Sequence, residues 1–332
     1  MASHLTEKEN YLRLMNGQIP EFVPNYWSST WACEPSAYKP VVAPDGSFKN
    51  HFGVPHVTVK SANGAALPEP GAFILTDIRK WRDIIKRPPI LDEIDWAMVS
   101  KKDLDGWNPD LPRLGSGCLA NGYFQTLVGF MGFENALIAC LEEPDEVKEL
   151  LDFILQMNLE TGKKYLEYYK PDVFSFGDDI AHERSTFVSV EVFLDIFEPL
   201  WRATTKPFKE AGLPAQHHNC GKFEAFVPYI VDMGFNAWEP AQSSNDLMGI
   251  KQKYANKLAI GTGVHSASIL QLPEVTEESI RAEVRRVMDK FAPGGGYEFL
   301  GSMMGPPGDE LTINRNKWIR DEYEKNKFKY YA

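Results

Sequence analysis

Beyond about residue 130 the chain alternates between two hydrophobic rhythms. Apolar residues at three- and four-residue spacing run from about Phe133 to Tyr169, most clearly in "EEPDEVKELLDFILQMNLETGKKYLEYY", and predict a helix. A short apolar run, "DVFSFGDD", follows. The alternation then repeats through a helical stretch over about Ser189 to Ala211, "PAQHHNCG", the helix-like "KFEAFVPYIVDMG", "NAWEPA", and a helix from about Asp246 to Tyr254. It ends with "LAIGTGVH", the helix "TEESIRAEVRRVMDKF", "YEFLGSMM" and a polar helix near "NRNKWIRDEYEKN". Five short strands are thus each followed by a helix. Gly212, Gly234 and Gly294 stand at predicted helix ends, where a left-handed residue costs little. Thr276 and Ser279, with Glu277 and Glu278, give one helix an acidic, capped first turn.

Strands that alternate with helices pair in parallel and place the helices outside. An open doubly wound sheet and a (β/α)8 TIM barrel both meet that requirement. No GxGxxG follows the first strand and no Walker loop occurs. The number of units and the 332-residue length favour the barrel. "EFVPNYW" would be its first strand. Residues 35–115 form an irregular excursion, rich in Pro, Gly, Ser and Ala over residues 35–72, where short β-prone runs such as "HVTV" also occur. One barrel domain over residues 1–332 is expected.

Composition narrows the setting. Thirty-five basic against 46 acidic residues give a net charge of −11, which repels phosphate backbones and excludes nucleic acid as the expected partner. No run of about 18 apolar residues exists to cross a membrane. The first twenty residues lack the apolar core of a signal peptide. The four cysteines, Cys33, Cys118, Cys140 and Cys220, are scattered without a CxxC pair, so a reducing, cytoplasmic compartment is expected. Homo-oligomerisation is left open.

In a (β/α) barrel the active site lies at the C-terminal strand ends. Those positions carry Asp178 and Asp179, His218 and Cys220, Glu239, His265, then Met303 and Met304. Side chains alternate along a strand, so His218 and Cys220 share a face and His217 takes the other. An imidazole and a thiol on one face suit zinc, which needs a third ligand; Glu239 and His265 are the candidates. Asp178 and Asp179 are equally suited to capping the next helix. Trp27, Trp31 and Phe124, with Met303 and Met304, would wall a pocket for a flat organic ligand.

The order of "FSFGDDIAHE", "HHNCG", "GFNAWEP", "AIGTGVHSASIL" and "RAEVRRVMDKFAPGGGYEF" resembles the uroporphyrinogen decarboxylase superfamily over about residues 115–325. The resemblance implies a (β/α)8 barrel and one of several activities. The decarboxylases hold a polycarboxylate through an arginine-rich N-terminal motif; this chain reads "FVPNYWSSTWACEPSAY" there, with no arginine. The methyltransferases that act on thiols such as coenzyme M bind zinc through HxC and a third cysteine near the last strand. His218 and Cys220 match the first two, but "FLGSMMGPP" has no cysteine. The remaining branch resembles corrinoid-dependent O-demethylases. These pass the methyl group of a methoxylated aromatic of the guaiacol, vanillate or veratrole type to cob(I)alamin, a cobalamin carried by a separate corrinoid protein. That resemblance implies that His218, Cys220, Glu239 and His265 surround the ether oxygen, with Asp178 or Asp179 orienting a base or the substrate. Either a proton donor or a zinc ion held by His218, Cys220 and Glu239 would neutralise the departing oxygen.

Overall fold

The computed structural model describes residues 4–59, 65–120, 122–254, 257–264, 269, 274–306 and 308–331. Ten strands are described: β1 Trp31–Ala32, β2 Phe48–Lys49, β3 Pro55–Val59, β4 Ala65–Pro68, β5 Arg113–Gly115, β6 Val173–Gly177, β7 Ala215–His218, β8 Ala237–Glu239, β9 Ala259–Thr262 and β10 Tyr297–Phe299. Seven of them form one curled sheet in the order β1-β5-β6-β7-β8-β9-β10, and every pair is parallel. The five strands expected from the alternating pattern are β6 to β10.

The segment expected as the first strand is much shorter. Asn25 makes an isolated parallel bridge to Phe299, Tyr26 N–H donates to Phe299 O, and Phe299 N–H donates to Pro24 O. Pro20 and Pro24 supply no N–H to a ladder, which limits how far this segment can pair. The helix expected over Phe133 to Tyr169 is two helices, Phe133–Glu142 and Pro144–Tyr168. Pro144 starts the second, because its missing N–H and fixed φ suit a first turn. The irregular excursion contains a separate antiparallel sheet, β2-β3-β4. No single helix among the described residues is long and apolar enough to cross a membrane.

The sheet has two contrasting faces. Phe174, Phe176, His217 and Trp238 point to the helix layer and pack against Trp201, Phe208 and Phe223. Each such aromatic, fully removed from water, contributes about 1.5–3 kcal/mol before ordering costs. Strand alternation turns Gln216, His218, Glu239, Gly261 and Glu298 to the concave face. The helix Glu7–Met15, opened by a Thr6–Glu9 capping box, covers one end of that face. Its Tyr11, Leu14 and Met15 cluster with Leu114, Val173, Ala237 and Ala259, at or near the starts of their strands. The other end, where β6, β7 and β8 finish, carries the polar groups.

Candidate functional site

Register brings the site together. His218 and Glu239 are paired neighbours at the ends of β7 and β8, and His218 Nδ1 lies 2.9 Å from Glu239 Oε1. Gly177, the neighbour of His218 on β6, leaves the imidazole room, since a Cβ there would sit 3.1 Å from His218 Cβ. Two residues past β6, Asp179 Oδ1 accepts from the Cys220 N–H at 2.7 Å. Its other oxygen accepts from Gln125 Nε2 at 3.2 Å. His218 Nε2 lies 3.9 Å from Asp179 Oδ1. The ligand atoms of Asp179, His218 and Cys220 all lie within 4.8 Å of one another.

The electrostatics follow. Burial opposes charge on His218, but Glu239, the hydrogen bond to Cys220 and Asp179 outweigh it and hold its pKa well above the usual histidine value. With Nδ1 bonded to a buried carboxylate, the imidazole presents Nε2 outward toward Asp179. One strand pair therefore sets the orientation, and the loop after β6 supplies the facing carboxylate.

The expected site residues separate into distinct groups. His218, Cys220 and Asp179 come together, and Glu239 stands behind the imidazole. Against the expected ligand triad of His218, Cys220 and Glu239, the structure sets Asp179 beside His218 and Cys220 and holds Glu239 at His218 Nδ1. Asp178 is a cap. Its fully buried carboxylate accepts from the N–H groups of Tyr123, Phe124 and Gln125 and from Trp201 Nε1, which ties down the first turn of the helix Tyr123–Met131. Burial still raises its pKa to about 6. His265 lies outside the described residues. Phe124 is buried in the helix layer, stacked on Phe187 and edge-on to Phe133 and Phe197. Trp31 is on β1. Trp27 is exposed and packs edge-on against Tyr26. Met303 is buried with its backbone bound to Asn316, and Met304 is exposed. His217 sits in the aromatic layer, where burial lowers its pKa to about 3.

Sequence reasoning missed the floor of the concave face. Glu298 is fully buried there. Tyr11 O–H faces Glu298 Oε2 at 3.0 Å and Gln216 Oε1 at 2.7 Å, and its single proton serves one acceptor at a time. Burial, then the Glu239 carboxylate, push the Glu298 pKa up to about 8. Gly261 separates the two carboxylates; a Cβ there would lie 2.6 Å from Glu239 Cβ and 2.7 Å from Glu298 Oε1. The available signal was a lone Glu between aromatics in "YEF", which strand alternation turns to the opposite face. A further acid, Glu34, accepts from the Ser116 and Gly117 N–H groups. It follows a two-residue strand, too short for periodicity to mark.

Residues 120–300, more than half of the chain and including Asp179, His218, Cys220, Glu239 and Glu298, match the model of the family Uroporphyrinogen decarboxylase (URO-D). The chain belongs to the uroporphyrinogen decarboxylase family. The solved structure of a methyltransferase from Methanosarcina mazei superposes on it with a TM-score of 0.62 at 14% identity, covering 97% of this chain and 99% of that one. At that identity the likeness shows the fold. A 3-keto-L-gulonate-6-phosphate decarboxylase from Vibrio cholerae gives a TM-score of only 0.27 at 12% identity, over 60% of this chain and 81% of that one, and carries no argument. No curated protein matches the chain significantly. The URO-D match spans β6 to β10, the strands that carry the cluster.

Proposed function

We propose that this URO-D family protein is a methyltransferase that takes the methyl group of a methoxylated aromatic and passes it to cob(I)alamin on a corrinoid protein. The observation that carries the reading is the Asp179–His218–Cys220 cluster at the strand ends, backed by Glu239. The M. mazei methyltransferase, which shares the fold, supports it. The absence of arginine from residues 22–38 argues against a porphyrinogen polycarboxylate. We also read the curled sheet as a (β/α)8 barrel, with residues 24–26 beside β10 and β1 beside β5 at its two edges.

The donor set fits zinc: one imidazole nitrogen, one thiolate and one carboxylate within mutual reach leave a fourth position for substrate. Glu239 would act behind the histidine ligand, fixing its tautomer and raising its basicity. A zinc ion held there would supply a Lewis acid for the ether oxygen. The methyl acceptor, cob(I)alamin, supplies the nucleophile from the partner protein. The task left to this chain is to stabilise a departing phenolate. As the methyl carbon–oxygen bond breaks, its electron pair goes to the aryl oxygen. His218, held cationic between Glu239 and Asp179, can give that oxygen its Nε2 proton, and this favours a second, metal-free mode. Glu239 keeps the imidazole aimed during the transfer.

A panel of methyl donors with a reduced corrinoid protein tests the function. Methoxyarenes should methylate the corrinoid, while methanol, methylamines and thiols should not; activity only with the latter would refute the assignment. Metal analysis chooses between the modes. Zinc near one per chain, lost in Cys220→Ala together with activity, supports the ion, whereas full activity in a metal-free, chelator-treated protein supports proton donation.

A further inference from the structure

The excursion that reads as irregular in sequence builds one wall of a cleft beside the site. This cleft, of about 330 Å3, lies between the β2-β3-β4 sheet and the helix Tyr123–Met131. Phe52, Leu67 and Phe130 give it apolar walls, with Phe52 edge-on to Phe130 at 5.4 Å between centroids. Gln125 lines it too, and that side chain donates to Asp179 Oδ2. The cleft therefore adjoins the Asp179–His218–Cys220 cluster.

Two details indicate a ligand. The first is Gly129, a cleft-lining residue in the interior of a nine-residue helix. Glycine weakens a helix there, and neither its φ nor packing requires it: a Cβ would meet nothing within 4 Å. The position is kept empty on the cleft side. The second is the polarity of the lining. His51 Nε2 lies 3.1 Å from Tyr38 O, and His56 Nδ1 lies 3.0 Å from Val54 O. A carbonyl only accepts, so each of those nitrogens donates to it. No Lys or Arg is among the described lining residues. A lining without Lys or Arg leaves a carboxylate without a fixed cation to pair with.

We infer that this cleft binds the aromatic ring of the methyl donor and that it selects neutral methoxyphenols over methoxybenzoates. The inference rests on the methoxyarene reading above and adds the ring's location and the charge it must lack. Volume for a single substituted ring, apolar walls and a lining without Lys or Arg agree with that class.

Calorimetric titration of the full chain tests it with guaiacol and vanillate, which differ by the carboxylate. Guaiacol should bind, vanillate at least about tenfold more weakly. Gly129→Ala should weaken guaiacol modestly and Gly129→Leu by more than about tenfold, with unfolding midpoints unchanged or raised, since both residues favour a helix more than glycine. Absence of guaiacol binding, equal binding of vanillate, or wild-type affinity in Gly129→Leu would overturn the cleft assignment. Guaiacol bound as expected but giving no methyl to cob(I)alamin would leave the cleft standing and refute the reaction instead. A lowered midpoint in both glycine variants would show that Gly129 serves packing, and would also overturn the inference.

Discussion

Glu298→Gln isolates one buried proton. Glutamine keeps the volume and an acceptor for Tyr11, and removes the titration. In the folded chain, burial and the neighbouring Glu239 carboxylate push the Glu298 pKa from 4.5 to about 8. Between those values the folded protein holds a proton that the unfolded chain releases. The associated stability is fully present below the unfolded pKa and is lost as pH rises through about 8. Each pH unit in that window is worth about 1.4 kcal/mol. The full window, from 4.5 to about 8, gives about 5 kcal/mol as an upper bound. The part between about pH 5.5 and 8 gives about 3 kcal/mol, and the glutamine variant lacks this loss. Urea unfolding of the two proteins side by side at several pH values reads the difference directly. Wild type should lose about 3 kcal/mol relative to the variant on going from about pH 5.5 to 8. Parallel profiles would refute the reasoning, because they would mean that Glu298 titrates alike in both states.

Two further outcomes follow from the same face. Glu239→Gln should lower the His218 pKa, visible in an NMR titration of its ring protons, and weaken zinc by about 10–100-fold in a competition assay; an unmoved titration would remove Glu239 as the orienting partner. Gly261→Ala should cost about 1–3 kcal/mol in thermal or urea unfolding by forcing Glu239 and Glu298 apart, and an unchanged midpoint would show that the face yields freely.

The rhythm of apolar residues marked β6 to β10 because each is a buried run bounded by polar turns. It failed at both edges of the sheet, where β1 has two residues and the first segment is punctuated by proline. Strand alternation separated His218 and Cys220 from His217, a purely local consequence of backbone geometry. It could not choose among Asp178, Asp179 and Glu239, since that depends on which neighbour each carboxylate meets across the sheet. Asp178 meets a helix end, Asp179 meets Cys220, and Glu239 meets the back of an imidazole. The cleft was illegible for a related reason: its walls are the β2-β3-β4 sheet and one helix face, and no local pattern states that they adjoin.

The floor hydroxyl of Tyr11 reaches its two acceptors across 205 and 287 residues of chain. During synthesis the first helix therefore emerges long before either partner exists; its buried tyrosine meets its first acceptor on β7 and its second only on β10, the last strand. Contacts of such separation carry a large closure cost and form late. Glu298 is sealed away from water only when the first helix and the final strand have both docked, so a chain lacking β10 would hold His218 and Glu239 without the closed floor beneath them.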